Sequence, residues 1–482
     1  SFHTVPAYFS ILLLLVLAWG AFAFGAVYDW AYRPLLWACA GAGLLALVAP
    51  GANGRRAINW PLAAAIALLL AAVGVQLLPL APAAIARVSP GSDALLCKHD
   101  VVYALATHAP EVPYRHPLSI DPPGTWLGLA CLAAFGALLL GTARAMGRRS
   151  LQTLAAGLAI VGLLLALTGI VQSGLGVRDR QASGLIYGFW KPIWGTNPFG
   201  PFVNRNHFAG WMLMALPVVL GYFVALVARG MRGVKPTLRH RVLWFSSPEA
   251  SRVILVGLAA AVMAVSLVLT FSRSGILGFI LALAVSAGFV LRGLRTRNAG
   301  RVTGARRTVA IGYIVLLAVL AIGWAGIGAV ADRFAAAEGT RLNGRLPIWE
   351  DTAPILRDFP LTGTGLNTYA TAMLYYQVWE PETLTAEAHN DYLQLAAEGG
   401  LLVGVPALVF AFVLAWQIRR RFQDEANAPG DALTYWLRVG ATTGLLAIGL
   451  QETVEFSLQM PGNAALFAVL AGIALHRANV AG

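Results

Sequence analysis

Charge is scarce in this chain. Only 12% of its 482 residues are Asp, Glu, Lys or Arg, about half the share of an average soluble domain. With 58% hydrophobic residues and a mean hydropathy of +0.68, that shortage excludes an ordinary soluble globular protein. Acidic residues are fewer still, 22 against 35 Lys and Arg, for a net charge of +13. Such a balance can suit nucleic acid, but the basic residues fall in loops between apolar stretches, so topology explains them and no nucleic acid partner is expected. The three cysteines, Cys39, Cys97 and Cys131, show neither pairing pattern nor metal spacing, which excludes a disulfide framework. They read as structural or incidental. There is no Walker loop, no dinucleotide glycine fingerprint, no His-Glu-x-x-His motif and no aspartate pair at metal spacing. Nucleotide-driven and zinc chemistry therefore have no sequence support, and neither a metal nor a cofactor is expected. Internal repeats and low-complexity tails are also lacking.

What is there is apolar length. Several stretches reach the roughly 20 residues that cross a bilayer, and about twelve spans are expected, near 5–27, 34–50, 60–81, 124–143, 151–172, 207–228, 252–271, 274–291, 309–330, 392–416, 433–451 and 462–477. The expected fold is an all-α polytopic membrane protein. The first stretch is too long for the core of a signal peptide and reads as a retained span. Basic clusters at Arg55 and Arg56, Arg144 to Arg149, Arg229 to Arg252, Arg292 to Arg307 and Arg419 to Arg421 all fall on one side of a twelve-span arrangement. The positive-inside rule makes that side the cytoplasm, with both termini there. Three organisational segments follow: spans one to nine over 1–330, an outer loop over 331–391, and spans ten to twelve over 392–482. The proline-rich outer loop 82–123 reads as irregular. Apolar residues at Ile348, Thr352, Ile355, Leu356 and Phe359 suit a short amphipathic helix lying on the membrane or covering a site.

Four polar clusters gather on the outer face. At the start of span six, Asn204-Arg205-Asn206-His207 offers either a helix cap, from Asn204 or Asn206, or ligand contacts by Arg205, Asn206 or His207. Arg273, in Ser272-Arg273-Ser274-Gly275, interrupts an apolar region. Arginine near membrane depth is costly and usually faces protein or a wet cavity; its planar fork suits phosphate oxygens. Arg341 and Arg345 form a third cluster, in which Arg345 opens the amphipathic helix and can be a second phosphate clamp or a local partner of Glu350. The fourth is Glu387-Ala388-His389-Asn390-Asp391-Tyr392, at the mouth of span ten, with Asn367 upstream. The positive end of a helix macrodipole disfavours an imidazolium, and a neutral imidazole can accept a proton from a hydroxyl. Glu452 and Glu455 flank the last outer turn and can balance an arginine or orient His389. The catalytic candidates are His389, Arg273 and Arg345. Arg205, Asn206, His207, Arg341, Asn367, Asn390, Tyr392 and Glu452 are candidate substrate contacts.

At these residues the sequence resembles the O-antigen ligase and O-antigen polymerase superfamily. The motifs that carry the resemblance are GTGLNTY at 363–369, AHNDYLQLAAEGGLLVG at 388–404, SRSG at 272–275 and RLPIW at 345–349. It covers the second half well; the first half agrees mainly in hydropathy and in NRNHFAG at 204–210. The resemblance implies a GT-C-type glycosyltransferase of the bacterial inner membrane with its active site facing the periplasm. Its donor would be a glycan on undecaprenyl diphosphate. The acceptor would be a lipid A core sugar for a ligase, or another lipid-linked glycan for an O-antigen or exopolysaccharide polymerase. It also implies metal-independent inversion, with the family's histidine falling on His389, its membrane arginine on Arg273 and its loop arginine on Arg345. A lipid-linked oligosaccharide transporter is the competing class, but no repeat relates the halves and the polar clusters gather on one face, not at midplane. A noncatalytic envelope scaffold is the third.

Overall fold

A computed structural model describes residues 5–48, 58–108, 113–178, 184–193, 197–230, 239, 244, 246–296, 344–427 and 431–476. Among these residues it contains sixteen α-helices and no strand beyond isolated bridges. They are α1 (Val5–Phe22), α2 (Asp29–Val48), α3 (Trp60–Gln76), α4 (Pro82–Val88), α5 (Pro90–His99), α6 (Val101–His108), α7 (Pro122–Ala145), α8 (Arg148–Arg178), α9 (Arg205–Gly230), α10 (Pro248–Leu269), α11 (Arg273–Thr296), α12 (Arg345–Asp358), α13 (Tyr369–Tyr376), α14 (Asp391–Asn427), α15 (Ala432–Gln451) and α16 (Pro461–Leu475). Six are long and apolar enough to cross a membrane, within α2, α7, α8, α9, α10 and α14, and shorter apolar helices lie in α1, α3 and α16. The protein is an all-α polytopic membrane protein.

Helices coincide with eleven of the twelve expected spans; the segment 309–330 lies outside the described residues. The loop 82–123 corrects the expectation of irregular chain, because it folds into α4, α5 and α6. Its prolines are helix starters: Pro82 and Pro90 each occupy the first turn, where a missing N–H costs nothing and a fixed φ favours the helix. The expected amphipathic helix is α12, with Ile348, Thr352 and Ile355 buried and Phe359 buried just beyond its end.

Helix α9 is the core of the bundle, buried from His207 through Tyr222. It lies against α15 where a β-carbon on Gly440 would overlap the Pro217 carbonyl, the close backbone approach that small residues permit between membrane helices. Helix α14 is broken at Gly400 (φ +52°, ψ −155°). The amides after the break, Leu401 and Leu402, donate to the carbonyls of Pro360 and Leu361 at 3.0 and 2.8 Å. Irregular backbone inside a membrane protein persists where such protein contacts satisfy it. The same loop is fastened by Gln76, whose side-chain amide donates to the carbonyls of Thr362 and Glu398 and accepts from Leu366.

Candidate active site

Helices α9, α11, α14 and α16 begin, and α15 ends, at one end of the bundle, and a buried carboxylate sits among these ends. Glu455, in the turn between α15 and α16, is 1% exposed. Its Oε1 accepts from Asn206 Nδ2 at 2.7 Å and from Arg345 Nη2, with Ser274 Oγ at 3.5 Å. Its Oε2 lies 3.9 Å from His389 Nδ1. That is beyond hydrogen-bond length, yet neither atom has a hydrogen-bond partner among the described residues. The next ring, Phe456, packs edge-on against both His207 and His389, with centroids 4.6 and 4.8 Å away.

Local sequence explains how each group reaches this point. Asn204 caps α9, its Oδ1 accepting from the Asn206 amide at 2.9 Å, which places Asn206 in the first turn. Phe271 turns the chain with φ +51°, and Ser272 then accepts from the Gly275 amide at 3.2 Å, so Arg273 opens α11. Gly344, left-handed at φ +81°, precedes α12 and makes Arg345 its first residue. Asn390 caps α14 by accepting from the amides of Tyr392 and Leu393 at 3.1 and 3.0 Å. His389 sits just outside that helix with φ +50°, a conformation that costs an L-residue roughly 1–2 kcal/mol. It is held there through Ala388, whose amide donates to Gln394 Oε1 and whose carbonyl accepts from Trp349 Nε1, both at 2.9 Å. Four helix N-termini thus point at one small volume, and their partial positive charges favour anions there.

Nδ1 is the buried nitrogen of His389 and faces Glu455, while the ring as a whole is a third exposed. The site can therefore present Nε2 to a ligand while the carboxylate faces the other side. Glu452 lies apart from this hub. It is 1% exposed, its carbonyl accepts the Asp391 amide at 3.0 Å, and burial, with the Asp391 carboxyl alongside, holds its own carboxyl well above the usual range. Burial also raises Glu387, with nearby His389 opposing the shift.

The structure brings together His389, Arg345, Asn206 and, through Phe456, His207. Arg273 and Arg205 open the two helices beside them. Arg345 pairs with Glu455, 110 residues away in sequence, and not with the local Glu350. Asn390 is spent on capping, and the Tyr392 hydroxyl donates to the Gly449 carbonyl at 2.6 Å. Asn367 goes elsewhere: its amide donates to Glu398 Oε2 at 2.7 Å and its side chain to the Gly124 carbonyl at 3.1 Å. Arg341 lies outside the described residues. The sequence offers Glu452 and Glu455 together as partners for an arginine or for His389, with Glu452 alone as a candidate substrate contact, and it does not single out Trp349, Gln394, Ser274 or Phe456. Glu455 had a signal, an acidic residue next to an aromatic one in a turn between two spans; the others had none.

Residues 258–409 match the family model for O-antigen ligase. This segment is similar to an O-antigen ligase domain. The match covers about a third of the chain and supports the O-antigen ligase and polymerase superfamily; the matched residues include Arg273, Arg345, Asn367, His389, Asn390 and Tyr392. Asn206 and Glu455 lie outside it, so His389 and Arg345 meet partners supplied by the flanking segments. No curated protein matches the chain.

Proposed function

We propose that the protein is a glycosyltransferase of the O-antigen ligase type, transferring a glycan from undecaprenyl diphosphate to a hydroxyl of the lipid A core at the periplasmic face of the inner membrane. The observation that carries this reading is the convergence of His389 and Arg345, with four helix N-termini, on the buried carboxylate of Glu455. A base beside a concentrated positive field is what attack on a diphosphate-activated sugar requires. His389 Nε2 takes the proton of the acceptor hydroxyl as its oxygen bonds to the anomeric carbon. The bond from that carbon to the diphosphate oxygen breaks on the opposite face, which inverts the centre, and the electron pair leaves on undecaprenyl diphosphate. Arg273 and Arg345 stabilise that charge, and the diphosphate shares or replaces the Glu455 contact of Arg345. Glu455 holds Nδ1 as the ring becomes cationic. No metal step is invoked.

Reconstitution with lipid-linked donor and core acceptor tests the reading. His389→Ala should lower transfer by about 10²–10⁴-fold, the usual contribution of a general base, with donor binding intact; full activity removes the base. Arg273→Lys keeps the charge but loses the planar fork, so donor binding should weaken; unchanged affinity removes the phosphate role. Glycan on lipid A core identifies a ligase. Lengthened glycan still on undecaprenyl diphosphate identifies a polymerase.

A further inference from the structure

At the other end of α9 a second polar site is built from three helices. A cavity of about 220 Å³ is lined by Arg148 and Gln152 of α8, Tyr222, Leu226 and Arg229 of α9, and Asp431 before α15. The volume exceeds the roughly 30 Å³ of one water several-fold. Arg148 is bound two-pronged to Asp431, Nε to Oδ2 at 2.6 Å and Nη2 to Oδ1 at 3.2 Å. That pair pulls the Asp431 side chain away from the helix it precedes, and it makes no capping bond to α15. The first-turn amides of α15 are left without a side-chain cap, and such amides attract anions. Tyr222 is 4% exposed and lines the cavity, yet its hydroxyl makes no hydrogen bond with any described residue. The same holds for the side chains of Gln152 and Arg229. Two guanidinium groups against one carboxylate leave the site net positive.

We propose that this cavity binds a phosphate group. Arg229 would supply charge, the Tyr222 hydroxyl and Gln152 amide would donate hydrogen bonds, and the Arg148–Asp431 pair would hold α8 against α15. The cavity is separated from the His389 site by the length of α9, about 35 Å between Asn206 and Arg229 at 1.5 Å per residue, so it is not part of the transfer chemistry. Its place at the ends of bilayer-length helices suits the headgroup of an anionic phospholipid, since basic pockets between membrane helices take such headgroups. Free phosphate offers the same chemistry.

The test uses the full chain purified in detergent. Retention of phosphatidylglycerol is compared with that of phosphatidylcholine by native mass spectrometry, and inorganic phosphate is titrated in parallel while melting is followed. Phosphatidylglycerol should be retained preferentially. Arg229→Gln should weaken it roughly ten-fold or more, as loss of a charge-assisted bond implies, and Tyr222→Phe roughly five-fold. Both variants should melt like the parent without ligand, because neither side chain bonds another described residue. Saturable phosphate stabilisation that Arg229→Gln abolishes, without lipid preference, would support the anion site with a soluble ligand. Equal retention of the two lipids together with no phosphate effect overturns the proposal. So does unchanged binding in both variants.

Discussion

Replacing Glu455 with Gln isolates the charge at the centre of the site. The amide keeps the volume and an oxygen for Asn206, and it removes the negative charge facing His389 Nδ1 at 3.9 Å. At an effective dielectric of about 20, unit charges at that distance attract by about 4 kcal/mol. The ring is a third exposed, and solvent-exposed pairs are worth no more than about 1 kcal/mol. An intermediate loss of about 2 kcal/mol in stabilising the imidazolium corresponds to roughly 30-fold in turnover. Donor affinity should move the other way or stay constant, because Arg345 is released from its carboxylate toward the diphosphate. Stability should fall by about 1–3 kcal/mol, since a guanidinium that is 18% exposed loses its partner. The assay is initial-rate transfer at varied lipid-linked donor, with melting of the same preparations as control. Unchanged turnover in a folded Glu455→Gln variant would refute the orienting role. A loss confined to donor KM would show instead that Glu455 serves Arg345 and not His389.

Three further outcomes follow from the same contacts. Trp349→Phe removes the 2.9 Å bond to the Ala388 carbonyl together with part of the ring's packing, so at least about 1 kcal/mol of positioning is lost; turnover should drop several-fold at constant donor KM, and a melting change without a rate change would count against it. Gly363→Ala should destabilise by about 3 kcal/mol or more, because residue 363 is left-handed at φ +63° and a β-carbon would overlap the Glu398 carbonyl; a melting temperature equal to that of the parent would contradict the clasp around Gly400. Glu452 has its carboxyl raised by burial in the folded protein, so folding binds a proton. Its contribution is complete below the ordinary carboxylate value and is lost as pH rises through the elevated folded one. Glu452→Gln should therefore raise the melting temperature at pH 8 more than at pH 5, and an equal effect at both would show that the folded carboxyl is already ionised at pH 5 like the unfolded one, so that burial does not raise it.

Spans were legible because apolar length is a local property. Each helix that crosses a bilayer must satisfy its backbone within itself, so α2, α7, α8, α9, α10 and α14 announce themselves without any tertiary information. His389, Arg345 and Asn206 were legible as polar groups at span ends, where burial in lipid would be costly. Their partner was legible only as one of two acids. Glu452 and Glu455 are three residues apart in one turn, with the same chemistry, and only packing decides which one faces the arginine. The prolines of 82–123 misled for a related reason: proline breaks a helix interior but starts a helix at its first turn, and the sequence does not label the turn.

By itself, the sequence determined that this is an all-α membrane protein, which polar residues lie at which span ends, and that its second half resembles O-antigen ligases. Those properties are written in runs of neighbouring residues, and the bilayer reads them one helix at a time. Tertiary structure decided the rest. It sent Asn367 to Glu398 and Gly124, it paired Arg345 with Glu455 and not with Glu350, and it set His389 against that same carboxylate. A buried carboxylate is stable only where cations and donors from several helices reach it together, and which helices do so depends on how the bundle closes.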